Sequence, residues 1–135
     1  MEETNLLNYP VLPHGTPIPW LISQGYPLGT DLASAELADP DKDGVPNWQE
    51  YRANTNPRDP KSKFQIRSVS RQSDGRFQVT FSTSTSRTYR VEASTDLMFW
   101  EPVVDGIPAA NQDVTITDTR LIGNPQAIFY RAVVY

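Results

Sequence analysis

Hydrophobic positions follow two different periods along this chain, and the change of period divides it. From Lys63 onward they alternate: Phe64 and Ile66, then Phe77, Val79 and Phe81, then Tyr89, Val91 and Ala93, and later Val114 and Ile116. Alternation sends successive side chains to opposite faces, so each run predicts a strand with one face against a core. Asp74-Gly75 predicts a tight hairpin between the first two runs. Trp100 to Val104 predicts another short strand, and Pro102 places it at a sheet edge because proline donates nothing to a ladder. The last segment, Ala127 to Tyr135, is apolar on one face through Ile128, Tyr130, Ala132 and Val134 and on the other through Phe129, Val133 and Tyr135. It therefore predicts a central strand. Six or seven short strands, with turns at regular spacing and no helical period between them, predict an antiparallel β-sandwich over residues 61–135.

Upstream the signals are helical and short. Thr16 reads as a cap, Pro17 and Pro19 as first-turn residues, Trp20-Leu21-Ile22 as an apolar face and Gly25 as a stop. A second helix is predicted from Thr30 or Asp31 through Leu32, Ala33, Ala35, Glu36, Leu37 and Ala38. A third carries Trp48 to Ala53; Asn54 suits a left-handed stop, and Pro57 prevents continuation. None is long enough to be stable alone. Trp20, Leu28, Leu32, Leu37, Trp48 and Tyr51 are therefore expected to form a small shared core. Residues 1–15 hold two prolines, the single His14 and no periodicity, and read as a linker or an extended arm that packs on something. The turn formers Asn54 to Pro60 mark the boundary between a helical segment, 16–60, and the sandwich.

Between the second and third helices lies Asp39-Pro40-Asp41-Lys42-Asp43-Gly44-Val45-Pro46-Asn47-Trp48-Gln49-Glu50. Its spacing is that of a twelve-residue calcium loop of the EF-hand type. Calcium takes about six to eight oxygens, and here Asp39, Asp41 and Asp43 supply side chains, Val45 its carbonyl, Asn47 an amide oxygen and Glu50 two oxygens. Gly44 provides the sharp reversal, since a residue without Cβ enters positive φ freely. A solvated turn before a helix also accounts for some acids as caps and first-turn charges. It does not account for three carboxylates on alternate residues, which repel one another without a cation. Pro46 stands where a second loop would pair through a backbone N–H, so this loop is expected to act singly. No second Asp-x-Asp-x-Asp-Gly occurs in the sequence. Asn56 and Asp59 are candidates for a second, weaker ion site, but turn chemistry alone explains them.

Charge sharpens the division. Residues 1–50 hold eight acidic residues against Lys42 alone, whereas 51–135 hold eight against eleven basic ones. The basic residues are scattered along the strands, which argues against nucleic acid as a partner. No apolar run reaches membrane-spanning length. With no cysteine, disulfides cannot staple either part, and a bound ion is the remaining covalency-free staple. Met1-Glu2-Glu3-Thr4-Asn5 lacks the basic and apolar regions of a signal peptide. The expectation is an excised piece of an extracellular protein, because a lone loop of this type suits extracellular calcium levels.

The loop, continued by Tyr51 and by Ala53-Asn54-Thr55-Asn56-Pro57, with Gly15-Thr16-Pro17 and Trp20-Leu21 upstream, resembles the thrombospondin type 3-like or EF-hand-like repeat of large secreted bacterial proteins. Such repeats are often followed by a small sandwich with a Tyr-Arg-Val-Glu-x-Ser-Thr-Asp-Leu-x-x-Trp stretch, here Tyr89 to Trp100. The resemblance covers residues 14–135. It implies a non-catalytic accessory module with calcium as a structural ion, held by Asp39, Asp41, Asp43, Val45, Asn47 and Glu50. The loop also resembles half of a dockerin, which needs two repeats. The expected fold class is α+β: a short-helix EF-hand-like segment, then an antiparallel immunoglobulin- or fibronectin-like β-sandwich.

Three functions compete on this reading. A calcium-stabilised structural module of a larger secreted or cell-surface protein comes first. A glycan- or cell-wall-binding module is the alternative, with Trp100, Phe99 and the tyrosines as stacking candidates. Catalysis has no assembled nucleophile, base and orienting group; among Glu92, Asp96, Glu101 and Asp118 no spacing selects a pair.

Overall fold

The computed structural model describes residues 9–120 and 122–135. Three short helices, α1 (Ile18–Ser23), α2 (Leu32–Ala35) and α3 (Asn47–Ala53), precede six strands. These are β1 (Ile66–Arg71), β2 (Phe77–Phe81), β3 (Thr88–Ser94), β4 (Glu101–Pro108), β5 (Val114–Asp118) and β6 (Phe129–Val134). The fold is α+β, with two antiparallel three-stranded sheets ordered β1-β2-β5 and β4-β3-β6. Alternation made the strands, and the alternate residues of both sheets share one core: Val79 and Phe81 from β2, Tyr89 and Val91 from β3, and Ile107 from β4. Tyr89 is wholly buried and its hydroxyl accepts from the Ser84 N–H at 2.7 Å, so its polar end is satisfied. Asp74-Gly75 turns the chain between β1 and β2, with Gly75 at φ 87°.

Two strand expectations are corrected. The C-terminal segment is an edge strand, and β3 is the central one. Its apolar residues on both faces remain partly exposed, whereas β3 is flanked by a neighbour on each side and buries five of its seven residues. The Pro102 strand does lie at an edge, but it runs from Glu101 to Pro108 rather than ending at Val104, bending at Gly106 and through irregular pairing with β3.

The helical part has its own cluster of Leu12, Ile18, Leu21 and Ala35, with Tyr9, Trp20, Ile22, Tyr26 and Leu32 packed on it. Leu28 and Leu37, expected in this core, are 60% and 56% exposed. Leu37 is exposed because α2 is a single turn: after Ala35 the N–H groups of Leu37 and Ala38 bond to the Ser34 and Ala35 carbonyls in turns, and Pro40 keeps Asp39 from resuming the helix. The expected run to Ala38 is thus replaced by turns. Thr16 is not the cap of α1, which begins after Pro17 without a side-chain cap. Asp31 does cap α2, accepting from the Ser34 N–H at 3.1 Å. Of the expected arm, residues 1–8 lie outside the described residues, and 9–15 pack against the helices through Leu12.

The helical and β parts are joined at the end of α3. Asn54 takes the left-handed conformation expected of it, at φ 56° and ψ 47°, and its amide donates to the Thr85 carbonyl at 2.9 Å. Arg87, from the loop between β2 and β3, donates to the Arg52 carbonyl at 2.6 Å and the Tyr51 carbonyl at 2.9 Å. These are carbonyls a helix end leaves without an internal partner, and a guanidinium also suits the negative end of the helix dipole.

Candidate metal centre

The acidic loop closes between α2 and α3. Its ends are tied by two backbone bonds, from the Asn47 N–H to the Ala38 carbonyl at 2.8 Å and from the Trp48 N–H to the Glu36 carbonyl at 2.9 Å. Inside that closure the aspartates fold back on the backbone. Asp39 accepts from the N–H of Gly44 at 2.8 Å and of Asp43 at 3.3 Å, while Asp43 accepts from the N–H of Val45 at 2.8 Å. Gly44 sits at φ 90° with open space where a Cβ would be, so conformation rather than crowding requires glycine here.

One carboxylate oxygen from each of Asp39, Asp41 and Asp43 lies within 4.8 Å of the other two. These three form a group that could hold a metal ion. Such proximity is electrostatically costly in an ion-free loop. Burial and the neighbouring Asp43 charge push the Asp41 carboxyl up; at Asp39 burial acts the same way but is outweighed by the Gly44 and other hydrogen bonds, which hold it below its usual value.

Glu50 and Asn47 enter from α3, and both are completely buried. Burial, reinforced by the charges of Asp43, Asp41 and Asp39, pushes the Glu50 carboxyl up to about 8. Thr55 supports it: the hydroxyl donates to Glu50 Oε2 and the N–H to the Glu50 carbonyl at 3.0 Å. The Asn47 amide is oriented by two acceptors, the Ala35 carbonyl at 2.9 Å and the Tyr26 hydroxyl at 3.0 Å. A carbonyl can only accept, so Nδ2 must face it, and Oδ1 is turned away from both partners.

Four buried oxygens of this set have no hydrogen-bond partner: Asp41 Oδ2, Asp43 Oδ2, Asn47 Oδ1 and Glu50 Oε1. Buried polar atoms in native proteins are almost always matched. Among the described residues the other unmatched buried side-chain atoms are Thr16 Oγ1 and Arg90 Nε, which lie apart in sequence, whereas these four are acceptors, three of them from carboxyl groups, gathered at positions of the calcium pattern. The partner that such a set fits is a hard cation.

No known protein family, curated protein or solved structure matches the chain.

Sequence reasoning named the six candidate ligands but not the residues that hold them. Tyr26, Thr55 and Lys63 touch candidate ligands from outside the loop, Lys63 Nζ donating to the Asp43 carbonyl at 3.4 Å. In the sequence Glu36 stands only among the helix formers of the second predicted helix. It is completely buried and its carboxylate accepts from the N–H of His14 at 2.8 Å and of Thr16 at 3.4 Å, fastening the arm to the loop's entry. His14 itself stacks on Trp48 with ring centroids 4.4 Å apart. Glu36→Ala is expected to destabilise the chain by about 1–3 kcal/mol, the cost of leaving the buried Thr16 N–H unmatched. Urea unfolding at fixed calcium checks this; a change below about 0.5 kcal/mol would show that the arm is not held there.

The other candidates resolve into supporting roles. Asn56 and Asp59 accept from the N–H groups of Arg58 and Lys61 at 3.0 Å each, which is turn chemistry. Glu92 binds Arg90 and Arg131, and Asp118 is fully buried between Arg120 and the Tyr130 hydroxyl. Asp96 accepts from the Met98 and Phe99 N–H groups, and Glu101 is exposed beside Arg120. Trp100 lies under the Arg131 guanidinium at 4.2 Å, whereas Phe99 is 77% exposed. No helix among the described residues is long and apolar enough to cross a membrane.

Proposed function

We propose that residues 39–50 bind one calcium ion and that the ion is structural, stiffening a non-catalytic accessory module of a larger secreted or cell-surface protein. The observation that carries this reading is the set of four unmatched buried oxygens on Asp41, Asp43, Asn47 and Glu50. Asp39 and the Val45 carbonyl complete the ligands in the EF-hand-like pattern. Because Glu50 and Asn47 belong to α3, and Arg87 and Asn54 join the end of α3 to the β part, an ion in the loop would also steady one part against the other. The strand orders β1-β2-β5 and β4-β3-β6 support an immunoglobulin- or fibronectin-like sandwich, corresponding to strands A-B-E and C′-C-F of that arrangement. A single loop of this kind suits extracellular calcium, which supports the extracellular assignment.

The test is a calorimetric calcium titration of the chelator-stripped chain beside Glu50→Gln. A stoichiometry near one, abolished or weakened at least tenfold by the substitution, is expected. No heat at millimolar calcium would overturn the reading. A second reading, glycan binding by the β part, draws on the exposed Phe99, which offers a free ring face beside the β3–β4 turn.

A further inference from the structure

Lys63 reaches the acidic loop from the other part of the chain. Its carbonyl accepts from the Ser82 hydroxyl at 2.9 Å, and Ser82 is bound again through Gln65, whose N–H donates to the Ser82 hydroxyl at 2.9 Å. The Lys63 backbone is therefore fixed to the end of β2. Its side chain is half-buried and its ammonium donates to the Asp43 carbonyl at 3.4 Å. Lys42, inside the loop, is exposed, so its charge is screened more effectively. Lys63 is the cation that the tertiary structure brings to the loop.

We propose that Lys63 sets the calcium affinity of the loop: a tethered cation, carried by the β part, that steadies the ion-free carboxylates and opposes the incoming ion. The proposal rests on the reading of residues 39–50 as a calcium site and goes beyond it by placing control of affinity outside the loop. Without calcium, Asp39, Asp41 and Asp43 crowd negative charge into one place, and the Lys63 ammonium offsets it. With calcium bound, that ammonium faces a divalent cation across a partly buried space where solvent screens it poorly. Both effects reduce the free energy gained on binding. Such a residue keeps a complete ligand set from binding tightly at low calcium.

Calcium titrations of the full chain and of Lys63→Met, Lys63→Gln and Lys63→Arg, at low and high NaCl, decide the matter. Lys63→Met and Lys63→Gln are expected to tighten binding by roughly three- to tenfold at low salt, as removal of one unit charge beside a divalent ion should do. Lys63→Arg keeps the charge and should stay within about twofold of the natural chain. The gain should shrink at about 0.5 M NaCl. The two neutral variants should also melt lower without calcium and show a larger rise when it is added. Natural-chain binding with unchanged or weaker affinity in both neutral variants would overturn the proposal while leaving the calcium site intact. A natural chain that takes up no calcium would overturn both. Far-UV circular dichroism establishes that each variant is folded before it is compared.

Discussion

Chelator-treated chain is expected to melt roughly 10 °C below the same chain at a calcium concentration one hundred times its dissociation constant. Binding to the folded state alone contributes about 2.7 kcal/mol at that excess, and a domain of this size shifts by a few degrees per kcal/mol. The origin is local: α2 and α3 are a single turn and two turns long, too short to persist without tertiary support. Their junction is made of carboxylates that repel until a cation joins them. Glu50→Gln should remove the calcium-induced rise. It should not lower the melting temperature of the ion-free chain, because the neutral amide matches in size and charge the protonated carboxyl that burial and the three aspartates favour there. Differential scanning calorimetry in calcium and in chelator checks both statements. Equal destabilisation by Glu50→Gln in the two conditions would mean that Glu50 is only a packing residue.

The ion-free chain is also expected to lose stability as the pH rises from about 4.5 to about 8, the opposite of ordinary acid denaturation. In the unfolded chain Glu50 titrates near its ordinary value of 4.5; in the ion-free fold burial and the three aspartates raise it to about 8. Between those values the folded state holds a proton that the unfolded state has released, so stability falls with increasing pH across this window. The size is on the order of a few kcal/mol. Calcium reverses the preference, since a ligating carboxylate must be ionised. The fall should vanish in saturating calcium, and binding near pH 6.5 should release up to one proton. Urea unfolding across the pH range, and calcium titrations in two buffers of different ionisation enthalpy, measure these. A flat pH dependence of the ion-free chain would refute the Glu50 argument.

Phosphate-free, low-salt conditions matter for both experiments, because the aspartates are only partly buried and salt screens their repulsion. The same consideration separates them from substitutions in the β part. There, Tyr89 and Phe81 are completely buried in a shared core, and their stability effects should be indifferent to calcium.

The sequence by itself determined much of what depends on near neighbours in the chain, though not the cap of α1 or the length of α2. Alternation located the strands, Asp74-Gly75 the hairpin, Asn54 the left-handed helix end, and Asp39, Asp41, Asp43 and Gly44 a loop whose carboxylates converge. What only the tertiary structure decided is which strands neighbour one another and what surrounds the loop. Apolar residues on both faces made β6 look central, but edge or centre is set by whether a second strand arrives, and here it is β3 that has two partners. Leu37 fits a helical pattern, yet α2 ends at Ala35 and the chain turns there to close the loop, which leaves Leu37 outside, and Leu28 is exposed as well. Tyr26, Thr55 and Lys63 carry no mark in their own sequence context, because what places them against Asn47, Glu50 and Asp43 is packing between distant segments. The convergence of Asp39, Asp41 and Asp43 followed from spacing along a short loop. Ligand orientation, burial and the charge facing the site followed from the fold, since each is a property of the space around a residue and not of its order in the chain.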